Sequence, residues 1–169
     1  MDYNATTPVD ERVLAKMAPY FTTLFGNPSS RDHSFGWDAA AAVDEARYHV
    51  ANLINAKPSE IIFTSGATES INLALKGLAQ VSGSEKRSIV TSLTEHEAVI
   101  GACRQMEAKA DVEVHYLEVD RLGNIDPGEL AASARKHETL LVSLMFANNE
   151  IGTVNPIRQA AEIAHDAGA

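Results

Sequence analysis

From residue 60 onward, short apolar runs alternate with amphipathic segments of helical period, and this alternation restricts the fold more than any other feature. The runs at 60–64, 88–92, 112–117 and 139–146 are rich in Ile, Val, Leu and Phe and have the length of buried strands. Between and after them, apolar residues recur every three or four positions at 68–80, 95–108, 127–135 and 156–167, which predicts helices. Strands separated by helices of this length are joined by crossover connections. The expected fold is therefore α/β, a mainly parallel sheet of at least four strands flanked by helices.

Two further helices are expected upstream. Pro8 stands near the start of the first, whose apolar stripe is Val13, Met17, Phe21 and Leu24 and which ends near Gly26-Asn27-Pro28. The second spans about 36–55 and is expected to bury Trp37, Val43, Ala46, Val50 and Leu53 or Ile54 before Lys57-Pro58 breaks it.

Ligands of open parallel sheets sit beyond the carboxyl ends of the strands, and that rule collects three polar clusters onto one edge. They are Ser65-Gly66-Ala67-Thr68, Thr94-Glu95-His96 and Asn148-Asn149-Glu150. The octet Phe63-Thr64-Ser65-Gly66-Ala67-Thr68-Glu69-Ser70 takes an apolar run through a glycine turn into a helix start. Unpartnered N–H groups and the positive end of the helix dipole favour an anion at such a turn, with Ser65 and Thr68 adding hydroxyl donors. An ordinary Ser/Thr-capped turn fits the octet equally well. Asn148 and Asn149 either meet a ligand or stabilise a turn before Gly152.

Several chemistries are excluded. The chain lacks the dinucleotide-binding Gly-x-Gly-x-x-Gly and the P-loop Gly-Lys-Ser/Thr. His96-Glu97 does not continue into a zinc-protease motif, because Ile100 stands where the second His belongs. His33, His49, His115, His137 and His165 show no ligand spacing, so no metal is expected. A net charge of −9 without a basic cluster argues against nucleic acid as a partner. No apolar run approaches the roughly 20 residues needed to cross a bilayer. The single cysteine, Cys103, forms no internal disulfide, and with no signal-like start a cytoplasmic setting is expected. Cys103 lies seven residues after His96 on one predicted helix, about 10 Å along its axis, too far for a catalytic pair. It reads as a packing residue beside Val99 and Met106.

Taken together, the segments at 2–10 (DYNATTPVD), 26–37 (GNPSSRDHSFGW), 61–74 (IIFTSGATESINLA), 94–99 (TEHEAV) and 148–154 (NNEIGTV) strongly resemble the cysteine desulfurases of the class V aminotransferase group. The resemblance runs through essentially the whole chain, in order. It implies the N-terminal part of the large domain of a fold-type I transferase dependent on pyridoxal 5′-phosphate, with residues 1–169 an N-terminal segment plus the first part of that domain. Ala67 and Thr68 match residues that hold the cofactor phosphate. His96 matches the catalytic histidine at the cofactor ring, and Asn149 the asparagine near its phenolic oxygen. Asn4, Ala5 and Thr6 match a substrate-proximal segment, and Gly26 to Ser30 with His33 a loop close to the site.

The implied reaction removes sulfur from L-cysteine, giving L-alanine and an enzyme persulfide for iron–sulfur cluster assembly or other sulfur transfer. The implied partners are sulfur-acceptor or scaffold proteins and a second copy in a homodimer. Another class V enzyme, a selenocysteine lyase or aminotransferase, and a non-catalytic remnant are the competing readings. Lys76 and Lys86 do not match the lysine that tethers the cofactor, nor does Cys103 match the nucleophile. These residues alone are therefore expected to be an inactive fragment.

Overall fold

Ile89 and Val90 are adjacent, both branched at Cβ and both without solvent exposure, although successive strand residues point to opposite faces. A strand with both faces covered belongs to a sheet with helices on both sides. The computed structural model, which describes residues 3, 6–81, 88–109 and 112–169, has this arrangement. Its chain divides into two compact units, Met1–Phe63 and Thr64–Ala169.

The second unit holds a three-stranded sheet in the order β2-β1-β3, with β1 at Ser88–Ser92, β2 at Glu113–Leu117 and β3 at Thr139–Val142. Both pairings are parallel: Val90 is opposite His115 on one side and Val142 on the other. The helices are α3 (Ala67–Val81), α4 (Glu97–Ala108), α5 (Pro127–Lys136) and α6 (Ile157–Asp166). The step from β1 to β2 runs through α4, and the return step, past β1 to β3, runs through α5. Right-handed crossovers in opposite directions put their helices on opposite faces. The core divides accordingly. Leu75, Ile89, Val99, Ala102, Cys103, Met106 and Val114 pack together under α3 and α4. Val90, Leu117, Leu130 and Ala160 pack under α5 and α6.

In the first unit, α1 spans Glu11–Thr22 and α2 spans Ser34–Leu53, followed by a 3₁₀ turn at Pro58–Glu60. Asp10 caps α1 by accepting from Arg12 N–H, and His33 caps α2 by accepting from Gly36 N–H. Trp37 Nε1 donates to Arg31 O at 2.8 Å. The Arg47 guanidinium donates to Ile61 O and lies 4.9 Å from the Phe63 ring centroid.

Three expectations need correction. Residues 61–64 form no ladder in the described structure, and 58–60 are a 3₁₀ turn, so the sheet has three strands and not four. An apolar run becomes a strand only where a neighbour accepts its hydrogen bonds. The apolar stripe of α1 is real, yet Val13, Met17, Phe21 and Leu24 are all exposed, Phe21 at 75%. On α2, Trp37, Ala46, Val50, Leu53 and Ile54 are exposed and Val43 is half-buried; the helix instead buries Gly36, Ala39 and Ala51. Periodicity marks a face able to pack, whereas burial requires a surface opposite it.

Candidate functional site

β1 ends at Ser92, and Leu93 N–H extends its pairing by donating to Leu117 O at 3.1 Å. The chain then turns. Ser92 Oγ accepts from Thr94 N–H at 3.3 Å and lies 3.2 Å from Thr94 Oγ1, and Glu95 N–H donates to Ser92 O at 3.4 Å. The turn delivers His96 to the N-cap of α4, where Nδ1 accepts from Ala98 N–H at 3.1 Å. An Nδ1 that accepts places the ring proton on Nε2. The imidazole is exposed at the carboxyl edge of the sheet.

The continuation of β3 reaches the same place. Ser143 N–H donates to Val90 O at 2.9 Å, and the buried Thr91 hydroxyl donates to Ser143 O at 3.0 Å. Residues 146–155 then fold back on themselves, with Asn148 N–H donating to Thr153 O at 2.8 Å and Asn155 N–H to Phe146 O at 2.9 Å. Asn148 Nδ2 donates to Thr94 O at 2.9 Å, while its Oδ1 accepts from Glu150 N–H and Ile151 N–H. Asn148 is used up holding the loop, and the exposed Asn149 stands beside it at the turn.

Glu95 supplies a second tie, because its Oε1 accepts from Met145 N–H, fifty residues away in sequence. The sequence carries no local sign of this role. Burial pushes the Glu95 carboxyl above its ordinary 4.5, opposed by the Met145 N–H and by His96. In the interval above 4.5 the folded state keeps a proton that the unfolded chain releases, so this contribution to stability falls as pH rises. Glu95→Gln keeps an acceptor for Met145 and cannot ionise. Urea unfolding of both proteins from about pH 4 to 7 is expected to show the variant gaining stability relative to the parent as pH rises. Parallel curves would refute this.

The octet contributes the third cluster. Lys76 Nζ on α3 donates to Gln105 Oε1 on α4 at 2.8 Å, and both helices pack on the same face of the sheet. A helix that lies along the sheet and then feeds the amino end of β1 runs antiparallel to that strand. This puts its N-terminus at the carboxyl edge. The octet's own hydrogen bonds are local. Glu69 Oε2 accepts from both Ser65 N–H and Ser65 Oγ at 2.6 Å, and Thr64 Oγ1 lies 2.7 Å from Ser70 Oγ. Ser65 is thus committed to Glu69, and the donors left for an anion are the first-turn N–H groups at Ala67 and Thr68 and the exposed Thr68 hydroxyl. Gly66 has neither a positive φ nor any atom within 4 Å of where a Cβ would stand. The turn does not require glycine for its backbone, and its face is open.

Thr6 is exposed in the first unit, and Asn4, Ala5 and Lys86 lie outside the described residues. In the loop at 26–30, Asn27 Oδ1 accepts from Ser29 N–H, and His33 serves as the cap of α2. Cys103 is fully buried, and burial, with Glu107 and Glu95 nearby, pushes its thiol up to about 11. A buried, protonated thiol is a packing group.

The family model for class-V aminotransferases matches residues 1–169. The cysteine desulfurase IscS of Rickettsia bellii (strain OSU 85-389) is 52% identical over 168 residues, 99% of this chain and 40% of the relative. Among solved structures, a NifS-like protein superposes with a TM-score of 0.92 at 41% identity, covering 98% of this chain and 44% of its own. SspA, solved in complex with cysteine, superposes with a TM-score of 0.90 at 39% identity, covering 98% and 47%. The chain spans about 40% of the length of the curated relatives it matches. With a family model matched from first residue to last and half of all residues shared with an IscS protein, the chain belongs to the class-V aminotransferase family.

Proposed function

We propose that the whole protein is a pyridoxal 5′-phosphate-dependent cysteine desulfurase that converts L-cysteine to L-alanine and an enzyme-bound persulfide. The observation that carries this reading is the 52% identity to a cysteine desulfurase across 99% of the chain, with the motif residues at one sheet edge. The persulfide would supply iron–sulfur cluster assembly or another sulfur acceptor, in a cytoplasmic homodimer.

The donor set fits the cofactor. A doubly charged phosphate suits the open turn at Gly66, where Ala67 and Thr68 provide N–H and hydroxyl donors without a competing side chain on Gly66. Asn149 would provide an amide for the phenolic oxygen, and His96 would stand at the ring. When bound, the cofactor acts as an electron sink for charge developing at the α-carbon of the amino acid. His96 holds a proton on Nε2 because its Nδ1 is occupied by Ala98 N–H, so the proton is presented outward from the sheet edge. Asn148 and Glu95 fix the two turns that carry Asn149 and His96. The lysine that tethers the cofactor and the cysteine that receives sulfur belong to the rest of the protein. Lys76 is engaged with Gln105, and Cys103 is sealed in the core.

The test uses the whole protein with L-cysteine and pyridoxal 5′-phosphate, measuring alanine formed and cofactor affinity. With a thiol reductant added to discharge the enzyme persulfide, alanine and sulfide are expected in equal amounts. Thr68→Val, which keeps the shape and removes the hydroxyl, is expected to weaken cofactor binding by about tenfold, the worth of one hydrogen bond to a charged group. Absence of alanine, or pyruvate as the main product from alanine and a keto acid, would refute the desulfurase reading.

A further inference from the structure

We propose that Glu113, His115 and His137 bind a divalent transition-metal ion of zinc type at the amino-terminal edge of the sheet, opposite the edge that carries His96. Glu113 and His115 are the first and third residues of β2, so the strand's period of two places them on one face. His137 arrives from a different direction, as the extended residue that closes α5 two positions before β3 begins. The His115 and His137 rings lie face to face, 3.5 Å between centroids and 24° between planes. One ligand atom from each of the three residues lies within 4.8 Å of the other two, with Glu113 Oε1 3.7 Å from His115 Nε2.

His115 Nε2 is buried and has no hydrogen-bond partner. A stacked pair of rings accounts for the packing but leaves that nitrogen unsatisfied, and its contact with Glu113 is too long for a hydrogen bond. A metal ion answers both. Two imidazoles and one carboxylate form a ligand set that zinc takes in tetrahedral coordination, and exposed Glu113 leaves the fourth position to water. Ligand atoms around a tetrahedral zinc are about 3.3 Å apart, so closure from the present spacing needs movements of about 1 Å and a tilt of the stacked rings. Lys136 adds positive charge at the site and Glu107 offsets it. The bound ion would tie β2 to the corner between α5 and β3. None of this depends on the desulfurase reading.

The experiment uses the purified chain stripped with chelator and titrated with Zn²⁺ by calorimetry and with Co²⁺ by visible absorbance. One equivalent is expected to bind, with a cobalt spectrum of nitrogen and oxygen ligation and no thiolate charge-transfer band. His115→Ala and His137→Ala are each expected to weaken Zn²⁺ at least about tenfold. Glu113→Gln leaves the ring stack untouched and is expected to weaken binding as well, so the test survives a misfolded histidine variant. His165→Ala and His49→Ala are expected to bind as the parent does. Failure to bind one equivalent, binding that persists in Glu113→Gln and the folded histidine variants, or a thiolate band from Cys103 would each overturn the proposal.

Discussion

Replacing His96 by Asn in the whole protein is expected to lower kcat by about 10²–10⁴-fold while leaving the melting temperature nearly unchanged. The two readouts separate because the catalytic duty proposed for His96 is distinct from its capping one. As the N-cap of α4 it accepts the Ala98 N–H, a role that Asn fills at least as well. As the exposed imidazole at the sheet edge it carries a proton on Nε2, which an amide does not exchange at neutral pH. His96→Ala is expected to lose both, adding about 0.5–2 kcal/mol of destabilisation to the same loss of rate. Steady-state alanine formation and thermal unfolding measured on both variants check this. An unchanged rate in His96→Asn would reduce His96 to a cap.

Gly36→Ala is expected to destabilise the first unit by about 3 kcal/mol or more, against the usual rule that alanine improves a helix. Gly36 lies in the first turn of α2 and is buried, where intrinsic preference alone predicts that alanine gains about 1 kcal/mol. A Cβ at this position would stand 2.0 Å from Ser30 O and 2.8 Å from Ser30 C. These are backbone atoms, and they cannot swing aside as a side-chain end does. Relief requires moving the loop against the helix, which also breaks the His33 cap that receives Gly36 N–H at 3.2 Å. Strain of this kind is the overpacking class with an added capping loss. Chemical unfolding followed through Trp37 fluorescence reports on this unit, and a variant as stable as the parent would show that the loop yields freely. Gly66→Ala, with open space around its Cβ, provides the contrast and is expected to leave folding unchanged.

These two residues show how differently sequence and structure contribute. The place of His96 near a helix start was legible from the helical period over 95–108, while its cap role came from the structure. The clash behind Gly36 was not legible, because Ser30 approaches through the loop geometry. The same division runs through the fold. β1 was predicted at 88–92 and is found at Ser88–Ser92, and α4 was predicted from 95 and starts at Glu97. Both follow from local apolar patterns. The run at 61–64 had an equally good pattern and forms no ladder, since pairing depends on a neighbour that pattern does not supply. The exposed faces of α1 and α2 make the same point for helices.

Within the candidate site, Ala67, Thr68, His96 and Asn149 were picked out by their positions after apolar runs and by their motifs. Glu95 and Asn148 acquired their roles only from bonds to Met145 and Thr94, 50 and 54 residues away. The Glu113, His115 and His137 cluster had no spacing signal, because its third member comes from the far end of α5. The sequence by itself determined the α/β alternation, the family and the edge of the sheet where the motif residues gather, because periodicity, turn chemistry and motif order are written along the chain. Tertiary structure alone decided which apolar faces are covered, which remote backbone groups Glu95 and Asn148 bind, and which histidines meet. Those outcomes depend on distances between residues remote in sequence, and only the packed chain sets them.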